Sequence, residues 1–362
     1  MGSAHAVIMA GGSGTRFWPA SRSTRPKQVL PLAEGRALVE AAVERVAGIC
    51  PPDKVWIVTS ADQREPILNS LPQFPREQVI VEPEPRDTAP CVALALATVA
   101  ARDPGATIVC LPADHVIRPV AEFERMISRG EALAADGETI VTFGIPPTSP
   151  DIGYGYIELG SARDDDAPAA YTVAAFREKP DLPTAERFMR EGRFWWNSGV
   201  LLFRTDAMLA QMKTHCPELF GAAVAMQRAR ERADEEALYA AFRSAPQTSI
   251  DYAVIEAAGK LAVVEFTAAW DDVGGFPSLA RIMGSDDDGN TCALFKDASA
   301  ELLESRGNIV YAEGDRTVAL FGVEGMVVAA VGDAVLVCPK DRAHELKKLV
   351  ARLRERGREG LL

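Results

Sequence analysis

Along the first half of the chain, short apolar runs alternate with stretches whose apolar positions recur every three or four residues. "AHAVIMA", "KVWIVTS", "QVIVEP", "ATIVCLPAD" and "ETIVTFGI" are short and almost continuously apolar, the form of strands buried on both faces. Between them, "RALVEAAVERVAGIC", "TAPCVALALATVAARD" and "AEFERMISRGEALAA" have the spacing of amphipathic or buried helices. The resulting order, βαβαβαβαβ, predicts an α/β fold with a parallel sheet covered by helices. In open sheets of this kind ligands lie beyond the carboxyl ends of the strands, so loops that leave a strand carry the greatest functional weight.

The pattern changes near Asp151. From there to Ile282, strands ("YTVAAFREKP", "NSGVLLFR", "KLAVVEF") mix with one long helical stretch from Phe220 to Arg243. The acidic, glycine-containing piece "GSDDDGNT" reads as a linker over residues 284–291. Beyond it, β-branched runs broken by glycine precede the basic helix "KDRAHELKKLVARLRERG". The expected division is a large domain over 1–283 and a small β module with a closing helix over 292–362. No repeat of fixed period is legible in that module, and the pattern leaves open whether it packs on the large domain or builds a dimer contact.

Composition narrows the setting. With 362 residues, 48% of them hydrophobic, the chain can bury a sizeable core. A formal net charge of −12 argues against nucleic acid or an anionic membrane as partner, although a local basic cluster can still hold a small anion. The six cysteines form no C-x-x-C pair and the four histidines no H-x-x-x-H pair, so neither structural zinc nor a disulfide framework is expected. No signal-type segment and no long uncharged apolar window is present. A soluble protein of the reducing cytoplasm is the expectation.

The candidate chemistry begins at "VIMAGGSGTRFWPAS". It is not a Walker A loop, and Phe17 stands where a dinucleotide fingerprint needs a small third residue. What remains is a glycine-rich turn after a strand, in which Ala10, Gly11, Gly12, Ser13, Gly14 and Thr15 offer successive N–H groups to phosphate oxygens. Arg16 and Lys27 would add positive charge. A plain strand-to-helix turn is the competing use of the same residues.

"MAGGSGTRFWPASRSTRPKQVLPL" resembles the signature of the sugar-1-phosphate nucleotidyltransferases, and its Phe-Trp-Pro and Pro-Lys-Gln details are similar to the mannose-1-phosphate guanylyltransferase branch. "EPRDTAP", "LPADH", "GYGYIE", "REKPD", "NSGVLLF", "SIDYAVIE" and "WDDVGGF" follow in the family's order. The resemblance implies a Rossmann-like mixed, mostly parallel sheet of the nucleotidyltransferase and glycosyltransferase-A kind. It also implies GTP and mannose 1-phosphate as substrates, GDP-mannose and pyrophosphate as products, and a homodimer. Arg16 and Lys27 match the family's phosphate-binding cations, and Asp114 with Asp272 its Mg²⁺ (or Mn²⁺) ligands. Magnesium suits one or two carboxylates, with phosphate and water completing its shell. Glu82, Arg86, Asp87, Thr88 and Ala89 fall where the family reads its base, with Asp87 standing where relatives usually show Asn. On the sugar side stand Gly153, Tyr154, Glu178, Lys179, Asn197 and Ser198, a mixture that can meet hydroxyls and a monoester phosphate.

Each motif also has a bland use: helix caps for Asp114, Asp87 and Thr88, a β-bulge at the glycines, a surface ion pair for Glu178 and Lys179. Trp195, Trp196 and Trp270 read as core or pocket wall. No histidine is needed as a base, because a phosphate monoester is already deprotonated at neutral pH. Two other functions remain: a uridylyl- or thymidylyltransferase acting on glucose 1-phosphate, and a catalytically silent sugar-nucleotide sensor. Longer relatives carry a phosphomannose isomerase domain, so a single activity is expected here.

Overall fold

The computed structural model describes residues 4–12 and 14–362. Its first half alternates as β1 (His5–Met9), α1 (Leu38–Val46), β2 (Val55–Ser60), α2 (Ala61–Ser70), β3 (Val79–Glu82), α3 (Thr88–Ala100), β4 (Thr107–Pro112), the short β5 (Val116–Arg118), α4 (Val120–Ala134) and β6 (Ile140–Ile145). Helix α2 fills the place between the second and third strands that the order βαβαβαβαβ requires but no quoted run marks, since Pro66 sits within it and its apolar periodicity is weak. Strand alternation feeds two cores. Val7 packs with Trp56 and α3 on one face of the sheet, while Ala6 and Ile8 pack with Ile57 and α4 on the other.

The second region supplies β7 (Tyr156–Ala162), β8 (Ala170–Arg177), α5 (Leu182–Glu191), β9 (Phe194–Arg204), α6 (Thr205–His215), α7 (Pro217–Glu231), α8 (Glu235–Ser244), α9 (Ile250–Ala253), β10 (Leu261–Glu265), β11 (Ala269–Asp271) and α10 (Ser278–Met283). The expected single helix from Phe220 to Arg243 is two. Ala233 takes φ +54°, and the Asp234 carboxylate accepts the N–H of Ala237 to start α8. Neither glycine nor proline marks that break, so the pattern alone runs through it.

The nine strands β3-β2-β1-β4-β9-β6-β10-β8-β7 form one mixed sheet. β3, β2, β1 and β4 are parallel, as expected. The long β9 then inserts between β4 and β6, antiparallel to both, with Leu201 opposite Cys110 on one side and Thr142 on the other. Its amino-terminal part continues past β6 to pair with β7. A strand from the second region therefore joins the two parts of the chain.

Beyond α10 the chain coils through β12 (Thr291–Phe295), β13 (Ser299–Leu303), β14 (Ile309–Glu313), β15 (Thr317–Phe321) and β16 (Met326–Val331), and turns back in β17 (Ala334–Pro339) before α11 (Leu346–Glu355). Thr291 pairs in parallel with Ile309 and Ile309 with Val327, while Ser299 pairs with Thr317. Each partner is eighteen residues further on, which corrects the expectation that no fixed period exists. The period was visible in part: Gly289, Gly307 and Gly325 share the spacing, and all take positive φ, at 75°, 63° and 63°. Inside the coil the buried Asn308 amide donates to Asn290 Oδ1 at 3.0 Å, and its own Oδ1 accepts from Met326 N–H at 2.9 Å. Such side-chain ladders fix register, but outside these positions the coils share little sequence.

The module packs on the large domain. Phe17, Trp18, Leu30 and Phe276 share one hydrophobic cluster with Tyr311, Val327, Leu346 and Val350.

Candidate active site

The glycine loop leaves β1 with its carbonyls already occupied. Thr59 Oγ1 donates to Ala10 O at 2.8 Å, Gln28 Nε2 to Gly11 O at 2.5 Å, and Gln63 Nε2 to Gly12 O at 2.8 Å. Among the described residues, the N–H groups of Gly11, Gly12, Thr15 and Arg16 have no protein acceptor, so they remain for an anion. Ser13 lies outside the described residues. Gly14 has no alternative: φ is +59°, and a Cβ there would stand 2.5 Å from Ser21 Oγ and 2.8 Å from Lys27 Cβ. A cavity of about 220 Å³ opens on this loop, lined by Gly11, Arg16, Lys27, Gln28, Asp114 and Gly274 among others.

Lys27 is the hub. Although almost wholly buried, it donates from Nζ to Asp114 Oδ2 at 2.7 Å and to the main-chain oxygen of Asp272 at 2.9 Å. It thereby joins a residue that follows β4 to one that follows β11. Burial works against the charge on Asp114, but the Lys27 ammonium beside it more than offsets this and holds the carboxyl below its usual range. Tyr154 OH donates to Asp272 Oδ1 at 3.0 Å. Gly274 brings Asp272 and Arg16 together: a Cβ on it would lie 3.0 Å from Asp272 Oδ2 and 3.4 Å from an Arg16 guanidinium nitrogen. Arg16 itself makes no ion pair with a described residue.

His115 supports this arrangement from behind. Its Nδ1 accepts from Trp270 Nε1 at 3.2 Å and its carbonyl from Arg45 at 2.9 Å. Burial holds the imidazole below its ordinary value against the pull of Asp114 and Asp272, so it stays neutral at neutral pH and suits a wall better than a charge.

The residue types fit a divalent cation shared with phosphate. Among the described residues no cluster of three or more His, Cys, Asp or Glu side chains could cage a metal. The donors are instead two carboxylates beside a phosphate-sized space, the kind of set magnesium uses. The Oε1 of Gln28, which is buried in the cavity lining, has no hydrogen-bond partner among the described residues. A water from a hydrated cation is the kind of donor it lacks.

A larger cavity of about 500 Å³ adjoins the loop and is lined by Gly11, Gly12, Thr15, Gln63 and residues Glu82, Pro83, Glu84 and Pro85. Burial pushes the Glu82 carboxyl up to about 7, with a hydrogen bond to Cys91 acting against it. The other residues expected at the base do different work. Arg86 donates to Ala245 O at 2.8 Å and pairs with Glu84; Asp87 accepts the N–H of Thr88; the Thr88 hydroxyl accepts from Ile250 N–H; and Ala89 N–H donates to Thr248 O. These contacts buckle the "EPRDTAP" loop onto "TSIDYAVIE". None of Arg86 to Ala89 lines the larger cavity.

The sugar-side residues gather at the other end. Gly155 admits Glu178, whose Oε2 would stand 2.5 Å from any Cβ there, and Glu178 pairs with Lys179. Asn197 Oδ1 accepts from Thr142 at 3.0 Å, and its Nδ2 donates to Asp251 Oδ1 at 3.2 Å. Burial, then the charge of Glu178, pushes Asp251 up to about 7. Tyr154 lies against Trp196 and Trp270, with ring centroids 5.1 and 5.3 Å away, and links this region to Asp272. Gly153 N–H donates to Asp151. Ser198 is not brought to the cleft: it is buried, and its hydroxyl accepts the N–H of Val200. Sequence reading missed Asp251, Gln28 and Gln63 as site residues, although "SIDYAVIE" and "RPKQVLPL" contain the first two.

Comparison with known proteins agrees with this geometry. The family model described as nucleotidyl transferase matches residues 5–288, and one described as MannoseP isomerase/GMP-like beta-helix domain matches 301–353. The Xanthan biosynthesis protein XanB of Xanthomonas campestris pv. campestris (strain B100) is 36% identical over 97% of this chain and 73% of its own length. The mannose-1-phosphate guanylyltransferase of Klebsiella pneumoniae is 34% identical over 97% of this chain and 74% of its own. A solved structure from Thermus thermophilus, named a mannose-1-phosphate geranyltransferase, superposes with a TM-score of 0.84 at 35% identity, over 97% of this chain and 99% of that one. Fold, ordered motifs and relatives converge, and the chain belongs to the nucleotidyl transferase family, among the mannose-1-phosphate guanylyltransferases.

Proposed function

We propose that the protein transfers GMP from GTP to α-D-mannose 1-phosphate, releasing pyrophosphate and forming GDP-mannose. The observation that carries this is the Lys27 ammonium, held between Asp114 and Asp272 at the mouth of a loop of free N–H groups. A sugar-phosphate oxygen attacks the nucleotide α-phosphorus in line. The bond to the bridging oxygen breaks, and pyrophosphate leaves with the electron pair. Two anions must meet, so the protein's work is positioning and charge compensation. The loop N–H groups and Arg16 hold the departing phosphates, Lys27 faces the reacting phosphate, and Asn197, Glu178 and Asp251 orient the hexose. Mg²⁺, held by Asp114 and Asp272, would supply further positive charge to the phosphate oxygens. No side chain has to take up a proton.

Glu82 is our candidate for reading guanine, since an ionised carboxylate can accept from both the N1–H and N2–H₂ of that base. Pyrophosphate release with Mg²⁺ tests the whole reading, across GTP, ATP, UTP, CTP and dTTP against mannose, glucose, galactose and fucose phosphates. A maximum at GTP with mannose 1-phosphate supports it. A maximum elsewhere overturns the specificity, and no release in any combination favours a silent sensor.

The protein is further proposed to act in the cytoplasm as a homodimer. All six cysteines are free, and no described helix is long and apolar enough to cross a membrane. Leu303 and Phe321, register partners on β13 and β15, are 63% and 70% exposed, an apolar stripe that a second copy can cover. Gel filtration of Phe321→Lys should show the monomer if so, and an unchanged dimer would remove this face from consideration.

A further inference from the structure

The larger cavity has a wall the established motifs do not supply. Besides Gly11, Gly12 and Thr15, its lining includes Val350 and Arg354 of α11, from the C-terminal module. The same three loop residues also line the phosphate cavity, so the two spaces meet at the glycine loop. We propose that α11 completes the nucleotide site, with Arg354 as a cation, additional to Arg16 and Lys27, for the polyphosphate of the bound nucleotide and for the departing pyrophosphate. This rests on the nucleotidyl-transfer reading and deepens it.

Helix periodicity gives Arg354 its place. Leu346, Val350 and Leu353 belong to the cluster that includes Phe17 and Trp18, and Arg354, one turn after Val350, falls on the flank of that stripe beside the cavity. The chain that follows the helix is fastened to the signature loop, because Trp18 Nε1 donates to Leu361 O at 2.7 Å. On α11, Lys348 pairs with Glu345 and Arg352 with Glu355, and Lys347 is not part of the cavity lining. Arg354 makes no ion pair with a described residue. Arg22, the other arginine of the lining, is engaged with Asp333 and Pro19 O.

The remaining charged side chains of the lining are Asp62, Glu82 and Glu84. Glu84 is compensated by Arg86. Asp62 lies in the first turn of α2, whose N-cap Ser60 makes no side-chain cap, so its carboxylate already meets the positive end of that helix. Arg354 thus faces a space with phosphate-binding groups on one side. A planar guanidinium with free donors is well suited to bridging phosphate oxygens.

The test compares wild type, Arg354→Ala, Arg354→Lys and Arg354→Glu with Mg²⁺ present, in both directions of the reaction. Arg354→Ala should raise KM for GTP, and for pyrophosphate in the reverse direction, about tenfold, the effect of one charge-assisted contact. KM for mannose 1-phosphate should stay put, Arg354→Lys should recover part of the loss, and Arg354→Glu should be worse than alanine. Unchanged KM values for GTP and pyrophosphate in the folded alanine variant would overturn the proposal, as would an equal rise for mannose 1-phosphate. Calorimetric titration with GTP alone separates the two levels of inference. If wild type releases no pyrophosphate with any substrate, the functional reading fails, yet a GTP affinity that drops in Arg354→Ala still supports the contact. An affinity that does not change refutes it.

Discussion

Burial pushes Glu82 up to about 7, and the direction of that shift makes two predictions at the scale of one side chain. Only the ionised carboxylate accepts from both guanine donors, so KM for GTP should rise as pH falls from about 8 to 6, and Glu82→Gln should be high and flat. The folded pKa exceeds the unfolded one, so the stabilising contribution is complete below about 4.5 and is lost as pH rises through about 7. Thermal melts should therefore find Glu82→Gln gaining on wild type at pH 8 and not at pH 4. A constant difference between the two proteins would contradict the burial argument. Lys27 and Asp114 concern the reaction instead. Asp114→Ala, Asp272→Ala and Lys27→Ala should each lower kcat by about three orders of magnitude in a folded protein, on the scale of lost electrostatic stabilisation. Normal turnover by folded Asp114→Ala would remove that residue from the proposed reaction.

Elements matter here through their ends. β1, β3 and β4 stop where Gly11, Pro83 and Asp114 must begin, so the parallel strands deliver the loop, the larger cavity and one carboxylate to the same edge. The glycine loop can be tested by contrasting two substitutions. Gly12 has φ +99° with nothing within 4 Å of an added Cβ, whereas Gly14 has both positive φ and a collision with Ser21 and Lys27. Gly12→Ala should cost about 1 kcal/mol of stability through backbone strain alone. Gly14→Ala must also displace Lys27, so kcat/KM should fall about a hundredfold or more, since small displacements of catalytic groups have such effects. Similar losses in the two variants would show that strain, and not the place of Lys27, governs the loop.

For the whole molecule, the shared cluster of Phe17, Trp18, Tyr311 and Val350 makes the C-terminal module part of the large domain's core. Asn308→Ala would remove the amide that donates to Asn290 Oδ1 and to Val323 O and would leave Met326 N–H without its acceptor, at a cost of about 2–4 kcal/mol. Calorimetry should record that loss as one shifted transition. A separate early transition, with the remaining fold melting unchanged, would show that the two parts unfold independently.

How much of this was legible follows the range of the interactions. Most strands and helices of the first half and the α/β class could be read, because burial periodicity and turn chemistry act over a few residues, while the mixed sheet was implied by the family resemblance. Arg16 and Lys27 were candidates from the loop itself, while the pairing of Asp114 with Asp272 came from the family resemblance. What the tertiary structure decided is long-range. Sequence offers no local sign that β9 passes between β4 and β6, and only three spaced glycines as a sign that the coil repeats every eighteen residues. Nor does "EPRDTAP" disclose that its Arg and Thr tie down a neighbouring loop while Glu82 lines the cavity, since their partners lie about 160 residues away at Ala245 and Ile250. Residue type and spacing set which chemistry the chain can perform; which side chains face the ligand, and that α11 joins them, depends on packing between segments that no local pattern connects.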